Sequence, residues 1–254
     1  MFLHGRECYR RNSDLVCYTF YKNMLYVVPQ FWFGFFSAFS GQVLYEPFIF
    51  QLYNITFTGL PIIWYGLFDW QYEKKVFLQP GNNHLYQIGI DNSLFSVSTF
   101  WTWIGYGWVQ AGMIFAICFW ANQQFTAITD ASGKDYDFWE GGMNVFWVCI
   151  FLANLTLLKL HNNFTGWGEA IMFVCAFSYW LIVWMESLLP MFPQVYRFME
   201  QDVSSGVAWL GALFALTILV TVDVMTKAVW TDWLYRAITK KDCDGAVYQC
   251  FKCP

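Results

Sequence analysis

Six long stretches of this sequence contain no Asp, Glu, Lys or Arg. They run between Lys22 and Glu46, Glu46 and Asp69, Asp91 and Asp130, Glu140 and Lys159, Glu169 and Glu186, and Asp202 and Asp223. A helix needs about 20 apolar residues to cross a bilayer core. Inside lipid every backbone group must be hydrogen-bonded within its own element, which leaves helices or a closed barrel. Barrel strands alternate polar and apolar residues over about ten positions. The run Phe173, Val174, Cys175, Ala176, Phe177 does not alternate. The fold class expected is therefore all-α: a polytopic membrane protein with six transmembrane helices, at Cys17–Phe39, Phe48–Phe68, Val97–Trp120, Glu140–Leu160, Glu169–Leu189 and Ser205–Lys227. Composition agrees, because only 13% of residues are charged and 57% are hydrophobic, whereas soluble domains carry about 25% charged residues. Trp and Tyr, 15 of each, suit the membrane–water boundary.

No soluble domain fits between these spans. The longest connection, Asp69–Ser96, carries turn signals at Pro80-Gly81 and Asn82-Asn83. Three parts are expected: a linker over 1–16, a membrane domain over 17–227, and a tail over 228–254. The N-terminus lacks the apolar core and small-residue site of a signal peptide. With a cytoplasmic N-terminus, 12 of the 14 basic residues fall on the cytoplasmic side. Lys134 and Arg197 are the two on the other. That asymmetry places both termini in the cytoplasm. The net charge of −4 argues against a nucleic-acid partner.

Chemistry-bearing residues are sparse. His4, His84 and His161 all fall outside the spans, which fits polar loop residues better than a buried haem or metal centre. Cys17, Cys118, Cys149 and Cys175 sit in apolar runs as small hydrophobes. Cys243, Cys250 and Cys253 cluster in the tail, but a closed zinc site wants a fourth ligand. No metal site and no catalytic residue are expected. The sequons at Asn54, Asn154 and Asn163 fall in spans or on the cytoplasmic side, so none should carry glycan.

Polar groups inside the spans are more informative. A Lys, Asp or Glu at mid-bilayer costs at least ~2.5 kcal/mol. Lys22 and Asn23 open the first span. Asn54, Thr56 and Thr58 precede Pro61 in the second, where proline can free carbonyls at Phe57 or nearby. A half-broken helix with polar side chains fits a transport path. Equally, Lys22 can snorkel to the interface and the Thr hydroxyls can bond their own helix. Spacing alone favours neither. The second span holds no carboxylate between Glu46 and Asp69, so it makes a poor site for a metal cation.

The same residues carry a family resemblance. Phe20-Tyr21-Lys22-Asn23 resembles the start of the fifth membrane helix of type IV P-type ATPases, the ATP-driven phospholipid flippases. His4-Gly5-Arg6 followed by Tyr9 and Arg10 resembles the linker leaving their phosphorylation domain. The run Phe39–Tyr45 is similar to the turn between their fifth and sixth helices, Leu52–Pro61 to the sixth helix and Gly66–Asp69 to its exit. Ser205-Gly206-Val207 and Asp223-Val224 resemble the borders of the last helix. The resemblance covers residues 3–230 and is most specific over the first 70. It implies the C-terminal membrane half of a flippase, with Lys22 and Asn54 where the family places polar residues needed for passage of the lipid headgroup; together with the polar residues beside them, the expected substrate-binding set is Lys22, Asn23, Asn54, Thr56 and Thr58. Such a path needs hydrogen-bonding groups and a counter-charge for phosphate.

The family's Asp-Lys-Thr-Gly, Asp-Gly-Glu-Thr and Gly-Asp-Gly-x-Asn-Asp motifs do not occur in this sequence. Without the aspartyl nucleophile there is no phosphoenzyme, so the chain alone is not expected to be an ATPase. ATP and Mg²⁺ are implied only for a complete family member. The implied partners are phospholipid, the catalytic portion of the ATPase and the family's two-span accessory subunit. Two further readings stay open: a non-enzymatic relic serving as a structural subunit of a larger membrane assembly, and a small transporter or channel.

Overall fold

The computed structural model describes residues 2–72, 74–77, 94–121, 138–163, 165–193, 195–196, 199 and 206–239. Among these the regular structure is helical throughout. In chain order the elements are α1 (Phe2–Phe36), α2 (Pro47–Leu52), π1 (Tyr53–Phe57), α3 (Gly59–Phe68), α4 (Lys74–Phe77), α5 (Val97–Ile114), π2 (Phe115–Ala121), α6 (Phe138–Leu160), α7 (Gly166–Ser187) and α8 (Gly206–Thr239). Among the described residues four segments are long and apolar enough to cross a membrane: Val97–Trp120, Phe138–Leu160, Gly166–Ser187 and Trp209–Thr226. The first two expected spans are not among them. Residues 17–36 continue a 35-residue helix that begins at Phe2. Residues 47–68 form a broken element, α2–π1–α3. The turn signals at Pro80-Gly81 and Asn82-Asn83, His84, Lys134, Arg197 and the tail cysteines Cys243, Cys250 and Cys253 lie outside the described residues.

The chain divides into two units, Met1–Ala215 and Leu216–Pro254. The first is organised around α6. Most of α6 is buried, because α1, α3, π2, α5 and α7 all pack on it. An interlocked aromatic group fills the centre. The Phe146 ring lies 5.6 Å from Tyr53, 6.4 Å from Phe57 and 6.0 Å from Tyr179. Beside it Trp180 stacks on Trp209 at 4.7 Å. Small residues set the closest approaches: a Cβ on Gly142 would run into the Leu44 carbonyl. In the second unit, Thr226 donates to Asp223 O of its own helix at 3.0 Å.

α1 ends in a tight turn. Phe39 N donates to Gly34 O at 2.8 Å, with Ala38 and Phe39 in the left-handed region at φ 49° and 54°. This resembles the bonding that commonly closes a helix C-terminus. Glu46 then caps α2, accepting from Ile49 N at 2.7 Å.

At the opposite end of α1 a buried ionic junction joins three segments. Arg10 donates to Asp69 Oδ2 at 2.7 Å, to Glu7 Oε2 at 3.1–3.2 Å and to the Tyr65 hydroxyl at 3.1 Å. Asp69 in turn accepts from the backbone of Asn162 at 2.9 Å and of Asn163 at 3.2 Å. Burial would raise the Asp69 pKa, but Arg10 and these N–H groups hold it below the usual carboxylate range. Asp14 goes the other way: burial pushes it up despite its bond from the Tyr65 hydroxyl. Arg11 donates to the Gly66 and Leu67 carbonyls at 2.9 and 3.1 Å, meeting orphan acceptors at the end of α3. Glu7, Arg10, Arg11 and Asp69, to which the sequence reading gave no packing role, thus fix α1 against the end of α3. His161, expected as a polar loop residue, is only 9% exposed and packs edge-on to Tyr65 at 5.1 Å.

Candidate functional site

The site begins with Pro61. In a continuous α-helix the residue-61 N–H would bond the Phe57 carbonyl, but proline has none and its ring crowds that oxygen. The chain relaxes one turn earlier into the π-helical stretch Tyr53–Phe57, where Thr58 N reaches back five residues to Tyr53 O at 3.1 Å. Gly59 makes this possible, since a Cβ there would stand 2.8 Å from the Asn54 carbonyl oxygen. Such π turns recur at functional positions.

The turn brings Thr58 under Tyr53 and against α1. Thr58 Oγ1 donates to Tyr53 O at 2.7 Å and accepts from Lys22 Nζ at 2.8 Å. The Tyr53 hydroxyl donates to Lys22 O at 3.0 Å, and the ammonium lies 5.8 Å from the Tyr53 ring centre. Lys22 is 4% exposed, and Thr58 and Tyr53 are fully buried. Among the described residues no carboxylate forms an ion pair with Lys22. The arrangement is a buried cation held by a hydroxyl, a carbonyl network and an aromatic face. It can receive an anionic oxygen without first breaking an ion pair.

The other expected site residues are placed differently. Asn23 and Thr56 are half-buried, and Asn23 Oδ1 has no hydrogen-bond partner among the described residues. Asn54 is exposed on this chain, and Lys22 is hydrogen-bonded to Thr58 and Tyr53. In an α-helix residues 54 and 58 would share a face. The π turn instead aligns 53 with 58, leaving Thr58 as the partner of Lys22 and turning Asn54 outward. Tyr53 was missed by the sequence reading. So was Asn154, noticed only as a sequon, which donates Nδ2 to Phe57 O at 3.1 Å and to Ile150 O at 2.9 Å. Among the described residues no group of three or more His, Cys, Asp or Glu is placed to hold a metal ion.

A family model for the C-terminal region of phospholipid-translocating P-type ATPases matches residues 1–235. The chain is 32% identical over 255 residues to the Homo sapiens phospholipid-transporting ATPase IH, an alignment covering 96% of this chain and 22% of that protein. It is 29% identical over 242 residues to the Arabidopsis thaliana probable phospholipid-transporting ATPase 5, covering 90% of this chain and 18% of that protein. Against Homo sapiens phospholipid-transporting ATPase IG the identity is 29% over 234 residues, covering 89% and 20%. The chain therefore spans about a fifth of the length of these relatives.

Proposed function

The chain belongs to the phospholipid-translocating P-type ATPase C-terminal family, and from that premise we propose that it is the membrane part of an ATP-driven flippase, contributing to phospholipid passage between leaflets. The four apolar helices, α1 and the broken α2–π1–α3 element make six crossings in this reading, with both termini cytoplasmic. Residues 1–16 act as the linker to the catalytic portion, 17–227 as the membrane domain and 228–254 as a tail. ATP and Mg²⁺ act in the catalytic portion, and a two-span accessory subunit completes the assembly.

The observation that carries this reading is the Lys22–Thr58 bond at the π break. A cation buried at membrane depth without a carboxylate is costly unless function requires it. Here it serves as the counter-charge for a lipid phosphate, with Thr58 and the neighbouring Asn23, Asn54 and Thr56 supplying headgroup hydrogen bonds. The test is lipid transport by the chain assembled with the catalytic portion, normalised to folded protein. Lys22→Met and Thr58→Val should each lower the specific rate at least about tenfold, equivalent to one lost charge-assisted bond of roughly 1.5 kcal/mol or more. Val174→Ala, on an exposed apolar position of α7, should leave it unchanged. Normal rates in both Lys22 and Thr58 variants would defeat the reading and favour a structural subunit.

A further inference from the structure

We infer that Asn154 of α6 is a positioning residue for the lipid path: it supplies the hydrogen bond that Pro61 denies the Phe57 carbonyl, and so fixes the break that presents Thr58 to Lys22. This rests on the function proposed above for Lys22 and Thr58, but its structural core is independent of that reading.

Phe57 is fully buried, and its carbonyl has lost its intrahelical donor to Pro61. An unmatched buried acceptor at this depth would favour any rearrangement that finds a donor, including a shift of the turn. Asn154 Nδ2 supplies the donor from another helix at 3.1 Å. Its second proton goes to Ile150 O, one turn back on α6, at 2.9 Å. Both neighbours are carbonyl oxygens, so only the amide nitrogen can face them, and the orientation of the carboxamide follows. Asn154 is 5% exposed and its Oδ1 has no hydrogen-bond partner among the described residues. A position needed only for packing would do better with Leu, which brings no unmatched acceptor. The donor is the reason for asparagine.

The clamp bears directly on the site. Phe57 directly precedes Thr58, and the Phe57 ring is wedged between Phe146 of α6 and Tyr179 of α7, at 6.4 and 5.7 Å. With ring and carbonyl both held by α6, Thr58 has little freedom to leave Lys22. Release the carbonyl and the Thr58 hydroxyl swings relative to the ammonium, without any change in the chemical groups that meet the lipid.

Two measurements test this. In the first, the chain is embedded in nanodiscs and its melting is followed for Asn154→Leu, Pro61→Ala and the double variant. Pro61→Ala restores the missing N–H. Asn154→Leu should therefore lower Tm in the otherwise unchanged chain, and lower it by less than half as much when Pro61→Ala is also present. Equal losses in the two backgrounds would overturn the clamp. In the second, the chain is assembled with the catalytic portion and transport of a fluorescent short-chain phospholipid is measured. Asn154→Leu should raise the lipid KM by about tenfold with kcat per folded protein changed less than about twofold, the pattern of lost uniform binding. An unchanged KM would overturn the positioning role. If the unmodified assembly moves no lipid while the melting coupling is present, the proposed function falls and the clamp stands.

Discussion

Asp69→Asn is the sharpest perturbation of the ionic junction near the N-terminal end of α1. The Asp69 side chain is wholly buried, and its Oδ2 receives Arg10 at 2.7 Å. Asparagine keeps an Oδ1 acceptor for the Asn162 and Asn163 N–H groups. It removes the charge, however, and turns an NH₂ toward the guanidinium, donor against donor. Breaking one partner of a buried pair costs about 3–5 kcal/mol. Arg10 retains Glu7 at 3.1 Å, which places the cost near the lower end, about 3 kcal/mol. That corresponds to roughly a hundredfold rise in the unfolded fraction. The sign with pH follows from the depressed Asp69 pKa. The carboxylate stabilises the fold above its unfolded pKa of about 3.9, and this contribution is lost as pH falls through the lower folded value. Unfolding in mixed detergent micelles, followed by tryptophan fluorescence, measures the difference. It should be about 3 kcal/mol at pH 7 and shrink progressively below about pH 4. A difference under about 0.5 kcal/mol at pH 7, within the range of ordinary surface substitutions, or one that persists undiminished at pH 3, would refute the reasoning.

Asp14→Asn should behave oppositely, because burial disfavours its charged form: at pH 7 it should cost less than about 1 kcal/mol in the same assay, the net worth of an ordinary hydrogen bond. Gly142→Ala should sharply reduce the folded yield, since the new Cβ meets the Leu44 carbonyl rather than a flexible side chain; overpacking of this kind costs about 1–3 kcal/mol, read as lost monodispersity on size exclusion. Fusion reporters at the two ends and a glycosylation assay at Asn163 should place both termini and that sequon in the cytoplasm; glycan on Asn163 would reverse the orientation. The chain alone should take no label from γ-phosphate-marked ATP, because its sequence contains no aspartyl phosphorylation motif; acid-stable label on any of its Asp residues would contradict this.

Much of the helical architecture is legible in the charge-free windows, since a bilayer permits few alternatives for an apolar run. The expected 97–120, 140–160 and 169–189 spans reappear in α5–π2, α6 and α7 within a few residues. Pro61 foretells both a break and a freed carbonyl at Phe57, because those follow from local covalent chemistry. The width of the break does not follow. A π turn moves the register by one residue, aligning Tyr53 with Thr58 and bringing Thr58 to Lys22. Local sequence cannot distinguish that from an ordinary proline kink. The long-range partners are likewise invisible: Asn154 lies 97 residues from Phe57 and Asp69 lies 59 from Arg10. A sequon and a loop acid give no hint of a carbonyl clamp or a buried ion pair until tertiary packing brings the segments together.

The most direct measurement of the proposed headgroup passage is photo-crosslinking in the chain assembled with a catalytic portion during ATP turnover, using a phospholipid whose only photoreactive group is on its headgroup. At the depth of π1 a headgroup has no reason to meet a lipid-facing helix surface, whose neighbours are acyl chains. Adducts should map to the Asn54–Thr58 segment and to α1 around Lys22, require ATP, and be absent from the exposed apolar face of α7 around Val174. Adducts confined to the helix ends, or equal labelling at π1 and Val174, would contradict passage of the lipid along the Lys22–Thr58 site.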